Sequence, residues 1–122
     1  MKLFLIIASL VSFCSAGFSQ SKDSVIVEIA RSSVSEELIH LRDSMSVSLQ
    51  KFNTRINSVR PSKNKKLEIA RKELVHYYDL VELDLEEAQT TARNAWSANA
   101  TNRIRANTIM IRREHARLIR VL

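Results

Sequence analysis

Glycine, cysteine and proline each occur once in the 122 residues, as Gly17, Cys14 and Pro61. Glycine is the residue that adopts positive backbone φ at little steric cost. Its near absence argues against primed hairpin turns, phosphate-cradling loops and the strained elbow that presents a nucleophilic serine. Aromatic residues make up only 6% of the chain, too few for a large rigid ligand pocket. A hydrophobic fraction of 45% is nonetheless ordinary for a folded domain. What these absences leave is an all-α protein with a slim core.

The first residues have the pattern of an export signal. Lys2 supplies a positive start, Leu3 to Val11 form an apolar run interrupted only by Ser9, and Ser12 to Ser19 are mainly small. Cleavage is expected after Ser19, which places Gly17 and Ser19 at the two specificity positions, with Ala16 as the alternative site. Cys14 follows the apolar run and makes a lipoprotein the minor alternative, although bulky Phe13 stands where a small residue belongs before a lipidated cysteine. The run is shorter than the ~20 residues of a membrane span. The expected organisation is therefore a signal peptide, 1–19, followed by one domain, 20–122, in the periplasm or secreted. That domain holds neither the glycine nor the cysteine, so it meets an oxidising compartment with no thiol and must be held by packing alone.

Apolar positions recur at helical spacing through the rest of the chain. From Val27 they run through Ala30, Val34, Leu38, Leu41, Met45, Leu49, Phe52 and Ile56 to Val59, in steps of three and four that average ~3.6 and keep a helix nearly straight. The many serines of this segment are indifferent helix formers, so it must gain stability from whatever covers its stripe. Arg60-Pro61-Ser62-Lys63-Asn64 marks a sharp turn, because proline disfavours helical geometry in the residue before it and readily opens the next helix. A second stripe passes through Leu67, Ala70, Leu74, Tyr78, Val81, Leu85, Ala88 and Ala92 to Trp96, widened by Leu80 and Leu83 as for a helix with two neighbours. A third follows at Ile104, Thr108, Ile111, His115, Leu118 and Leu122. The spacing predicts helices over about 24–59, 63–96 and 101–121, arranged as an antiparallel helical hairpin or a three-helix bundle with long coiled-coil-like helices. A kink or short loop is expected at 97–102; without it, helices two and three would fuse into a rod of about 60 residues, near 90 Å long, that needs a second copy to cover it.

The net charge of +6 is unevenly spread. Asp79 to Glu87 holds five acids and no base, whereas Arg93 to Leu122 holds seven arginines against Glu114 alone. The last helix is thus basic and amphipathic. Its arginines are expected either to be solvated, some pairing with the acidic band, or to dock an acidic protein or an anionic envelope surface, with Ile109, Ile111 and Leu118 adding apolar contact. Nucleic acid is not an expected partner of an exported protein.

Residue patterns that carry chemistry are sparse. Glu37-x-x-His40 and Glu73-x-x-His76 have the spacing used by di-metal carboxylate bundles, but a hairpin folded at Pro61 sets the two histidines about 9 Å apart in height. Metal binding is accordingly the remote alternative. His115 on the third stripe is expected to be a hydrogen-bonded core or interface residue. Asn107 and Thr108 interrupt that stripe as register-fixing polar residues do, and Asn99-Ala100-Thr101 matches a glycosylation sequon. No serine can be assigned a base and an orienting acid, and no enzymatic activity or cofactor is expected.

In size, basic charge and helical character the chain resembles the Spy-type periplasmic chaperones, although their Leu-Thr-x-x-Gln signature is absent. The reading is an exported interaction protein, an accessory subunit or chaperone-like binder, acting through its basic C-terminal helix. The expected contact residues are Arg105, Arg112, Arg113, Arg117 and Arg120, joined by Trp96 and Tyr77 as aromatic anchors. An anionic membrane or envelope surface is the alternative partner, and self-association is compatible with either.

Overall fold

The computed structural model describes the backbone of residues 2–91 and 95–122, with side chains from Val25 onward. The signal sequence expected at 1–19 depends on side chains outside the described residues, as does the place of Ala92. The described residues form three α-helices and one 3-10 turn: α1 (Lys2–Ser58), the turn (Pro61–Lys63), α2 (Lys65–Thr90) and α3 (Ala98–Ile119). Each helix packs against the other two, giving an all-helical bundle. No strand occurs among the described residues, and none of them has positive φ.

The first connection forms where the sequence places it. Arg60 is extended (φ −63°, ψ 142°) because the Pro61 ring disfavours the helical conformation before it, and Pro61 itself opens the 3-10 turn. The second differs from expectation. α2 stops at Thr90, Thr91 is extended (φ −64°, ψ 130°), and α3 begins at Ala98, so Trp96 lies in the connector ahead of the Ser97 cap, not in α2. Hydroxyl groups are bonded at both helix ends. The hydroxyls of Thr90 and Thr91 donate to the carbonyls of Glu86 and Glu87, one turn back, while Ser97 Oγ accepts from the Ala100 amide at 3.1 Å and caps α3. The start of α3 is thus fixed by a cap, without glycine or proline.

Cross-helix contacts set the register. Arg31 reaches the Thr91 carbonyl (2.7 Å), Arg42 lies 3.7 Å from Glu82, and Arg71 donates to Asn53 (2.9 Å), so α2 runs antiparallel to α1. Arg103 pairs with Glu87 and Arg117 with Glu73, so α3 runs antiparallel to α2 and parallel to α1. The end of α2 stands beside Arg31. Val25, Ile26 and Ile29 lie beyond that level and remain 53%, 54% and 63% exposed.

The three stripes meet in one core. Val34, Leu38, Met45 and Phe52 of α1, Leu74 and Val81 of α2, and Ile104 and Ile111 of α3 are its largest fully buried side chains. Trp96 closes the connector end, its indole Nε1–H donating to Thr101 Oγ1 at 2.9 Å. The polar interruptions of the third stripe are used inside the bundle: Thr108 donates to the Ile104 carbonyl (2.8 Å), and Asn107 Nδ2 lies 3.4 Å from Asp84 Oδ2. Burial raises the Asp84 carboxyl above its ordinary value, an effect that the Asn107 bond opposes. Among the described residues no buried side-chain nitrogen or oxygen lacks a partner.

Candidate interaction surface

The buried stripe of α3 divides its polar surface into two flanks with different fates. On the flank facing α2, Arg103 donates to both carboxylate oxygens of Glu87 (2.7 and 2.6 Å), and Arg117 joins Glu73 and Glu114, each at 2.7 Å. The Glu87 bond raises the Arg103 pKa, and the Glu73 and Glu114 bonds raise that of Arg117. These two guanidiniums are committed within the chain. Arg117, counted among the contact residues from sequence, is therefore held in an intramolecular network and differs from its neighbours.

On the outer flank, Arg105, Arg112, Arg113 and Arg120 are exposed and form no hydrogen bond or ion pair among the described residues. Spacings of seven or eight residues align 105 with 112 and 113, and 113 with 120, along one side of the helix. Ile109, 60% exposed, sits in the middle of this row. Four free cations around an exposed aliphatic side chain form a surface suited to carboxylates, which a guanidinium binds through two parallel N–H donors.

The aromatic residues expected to join this surface lie elsewhere. Trp96 is only 5% exposed and offers no outward face; it anchors the connector. Tyr77 is half-buried on α2, its ring 5.6 Å from that of His76 and inclined to it by 59°. Its partner in the sequence, Tyr78, packs on the core beside α1, where burial and then the nearby Glu82 carboxylate raise its pKa. The basic surface is thus made by α3 without an aromatic anchor.

His40 and His76 are both exposed, and the register that sets Arg42 near Glu82 puts them at different heights on α1 and α2. Among the described residues no group of three His, Cys, Asp or Glu side chains could hold a metal ion, and no helix is long and apolar enough to cross a membrane. The concave patches are open grooves on the surface, such as that lined by Asp79, Glu82, Leu83 and Glu86.

Two features escape the sequence reading. Arg60, Lys63, Lys65 and Lys66 are exposed at the α1–α2 turn, a second cluster of cations whose signal, a run without an acid, was legible but reads first as a turn. The acidic band also divides: Glu87 and Asp84 face α3, whereas Asp79 and Glu86 are exposed and unpaired among the described residues, with Leu83 between them at 61% exposure. The seven-residue spacing of Asp79 and Glu86 was the available signal. No known family model, curated protein or solved structure matches the chain.

Proposed function

We propose that this chain is an exported helical interaction protein of the periplasm or cell envelope, an accessory subunit or chaperone-like binder, that docks an acidic protein surface on the outer flank of α3. The observation supporting this reading is the row Arg105, Arg112, Arg113 and Arg120, which the bundle does not use while it pairs Arg103 and Arg117 internally. Folding gains nothing specific from that row, whereas an incoming carboxylate would gain charge-assisted bonds beside the apolar contact of Ile109. The basis for export is the Lys2 charge, the apolar run and the small residues ending at Ser19.

A photo-crosslinker placed at Ile109 in intact cells, followed by mass spectrometry, tests the reading. Acidic protein adducts are expected, and they should disappear when Arg105, Arg112, Arg113 and Arg120 are all changed to Gln in a chain whose circular dichroism is unaltered. Unchanged adducts in that variant would end the proposal. The exposed Arg60, Lys63, Lys65 and Lys66 favour an anionic lipid surface as the second reading. It predicts sedimentation with phosphatidylglycerol vesicles that fades steeply as salt rises, since exposed charges are screened over about 10 Å at 0.1 M.

A further inference from the structure

The free charges of α2 and α3 have matching spacing. On the outer side of α2, Asp79, Leu83 and Glu86 stand at i, i+4 and i+7; on the outer flank of α3, Arg105, Ile109 and Arg112 have the same separation. All six are exposed, and none of the four charged groups has a hydrogen bond or ion pair among the described residues. At 3.6 residues per turn each triad occupies an arc of about 60° and a length of about 10 Å. Each is therefore a compact patch with an apolar centre and a charge on either side. One is acidic and the other basic.

We infer that the acidic surface docked by α3 is the α2 face of a second copy of this chain. The inference rests on the docking role of α3 proposed above and names its partner. With the two helices antiparallel, Asp79 comes opposite Arg112, Leu83 opposite Ile109, and Glu86 opposite Arg105. The antiparallel sense is the one that α2 and α3 already adopt within the chain, where Glu87 meets Arg103 and Glu73 meets Arg117. The contact removes Leu83 and Ile109, 61% and 60% exposed in the single chain, from water together. Lys72 falls opposite Arg120, a like-charge pair at the edge that confines the attraction to the central triads.

The contact joins two different patches, so each pair retains an unused acidic face on one copy and an unused basic face on the other. Such heterologous association continues until it closes into a ring or grows as an open chain. A membrane surface has no reason to require Asp79 and Glu86, and an unrelated acidic protein has none to require Leu83. Those requirements are specific to the second copy.

Sedimentation velocity on the purified protein tests this directly. The wild type is expected to show sedimentation that increases with concentration and reverts at high salt. Two reversals, Asp79→Arg with Glu86→Arg and Arg105→Glu with Arg112→Glu, are each expected to sediment as monomers. A 1:1 mixture of the two should recover association, because each reversed face then meets its complement. Circular dichroism verifies folding, and if a reversal unfolds the bundle, Asp79→Asn with Glu86→Gln should still lose the concentration dependence. A wild type that stays monomeric, reversals that associate as the wild type does, or a mixture that stays dissociated would overturn the inference. If the wild type is monomeric while the crosslinker at Ile109 still captures a different acidic protein through the arginines, the second copy is wrong and the docking role stands. If the arginine-to-glutamine variant leaves every adduct in place, the docking role fails as well.

Discussion

His115 shows how much one side chain depends on a neighbour distant in sequence. Its Nε2 lies 2.8 Å from Ser48 Oγ on α1, and that hydroxyl lies 3.2 Å from the Ser44 carbonyl. With the serine hydroxyl donating to that carbonyl, the bond to His115 forms with the tautomer that carries its proton on Nε2. Partial burial lowers the His115 pKa below its ordinary value of 6.5. The unfolded chain therefore binds this proton more readily than the folded one. His115 favours the fold fully above about pH 6.5, and that contribution is lost as pH falls through the depressed folded value. Thermal melts should accordingly be flat above neutrality and decline towards pH 5, with a smaller decline in His115→Gln; equal slopes in the two proteins would assign the decline elsewhere. The sequence places His115 on an apolar stripe, which is enough to expect a hydrogen bond. It does not name Ser48, because that pairing requires the register between helices that are not adjacent in the chain.

At the scale of the element, the two connections differ in how openly they are encoded. The α1–α2 turn is legible because proline acts on its immediate neighbour and turns Arg60 away from helical geometry. The start of α3 depends on the Ser97 hydroxyl, a group that also occurs inside helices and acquires its meaning only when a free amide is within reach. For that reason the sequence alone runs the second helix on to Trp96, while in the structure Ser97 already caps the next one. The Ser97 cap is separately measurable. Ser97→Ala should destabilise the bundle by about 1 kcal/mol in urea unfolding, and Ser97→Asn, which restores an acceptor, should recover most of the loss. A cost near zero for alanine would place the helix start under some other control.

For the whole molecule, one core joins all three helices, and unfolding should therefore be a single event. Leu74 is fully buried in that core, and Leu74→Ala should cost roughly 2–5 kcal/mol. Trp96 is the sole tryptophan and sits at the connector end, so its fluorescence reports on a region remote from the proline turn. Fluorescence and far-ultraviolet circular dichroism are expected to shift together in this variant; two separate transitions would mean that the helices melt independently. The all-helical class and the three stripes were readable because packing follows helical period, which is a property of the sequence itself. Net charge was readable for the same reason. Which arginines are free was not, because Arg103 and Arg117 find Glu87 and Glu73 only once α3 is laid against α2.

The backbone's restriction to negative φ among the described residues has a practical corollary. No described position requires positive φ, so alanine can be introduced at any of them without forcing the main chain into an unfavourable region. An alanine scan of this protein would therefore read side-chain contributions, with helix propensity as the remaining background. The boundary between residues that hold the bundle and residues held ready for a neighbour can thus be drawn experimentally, position by position.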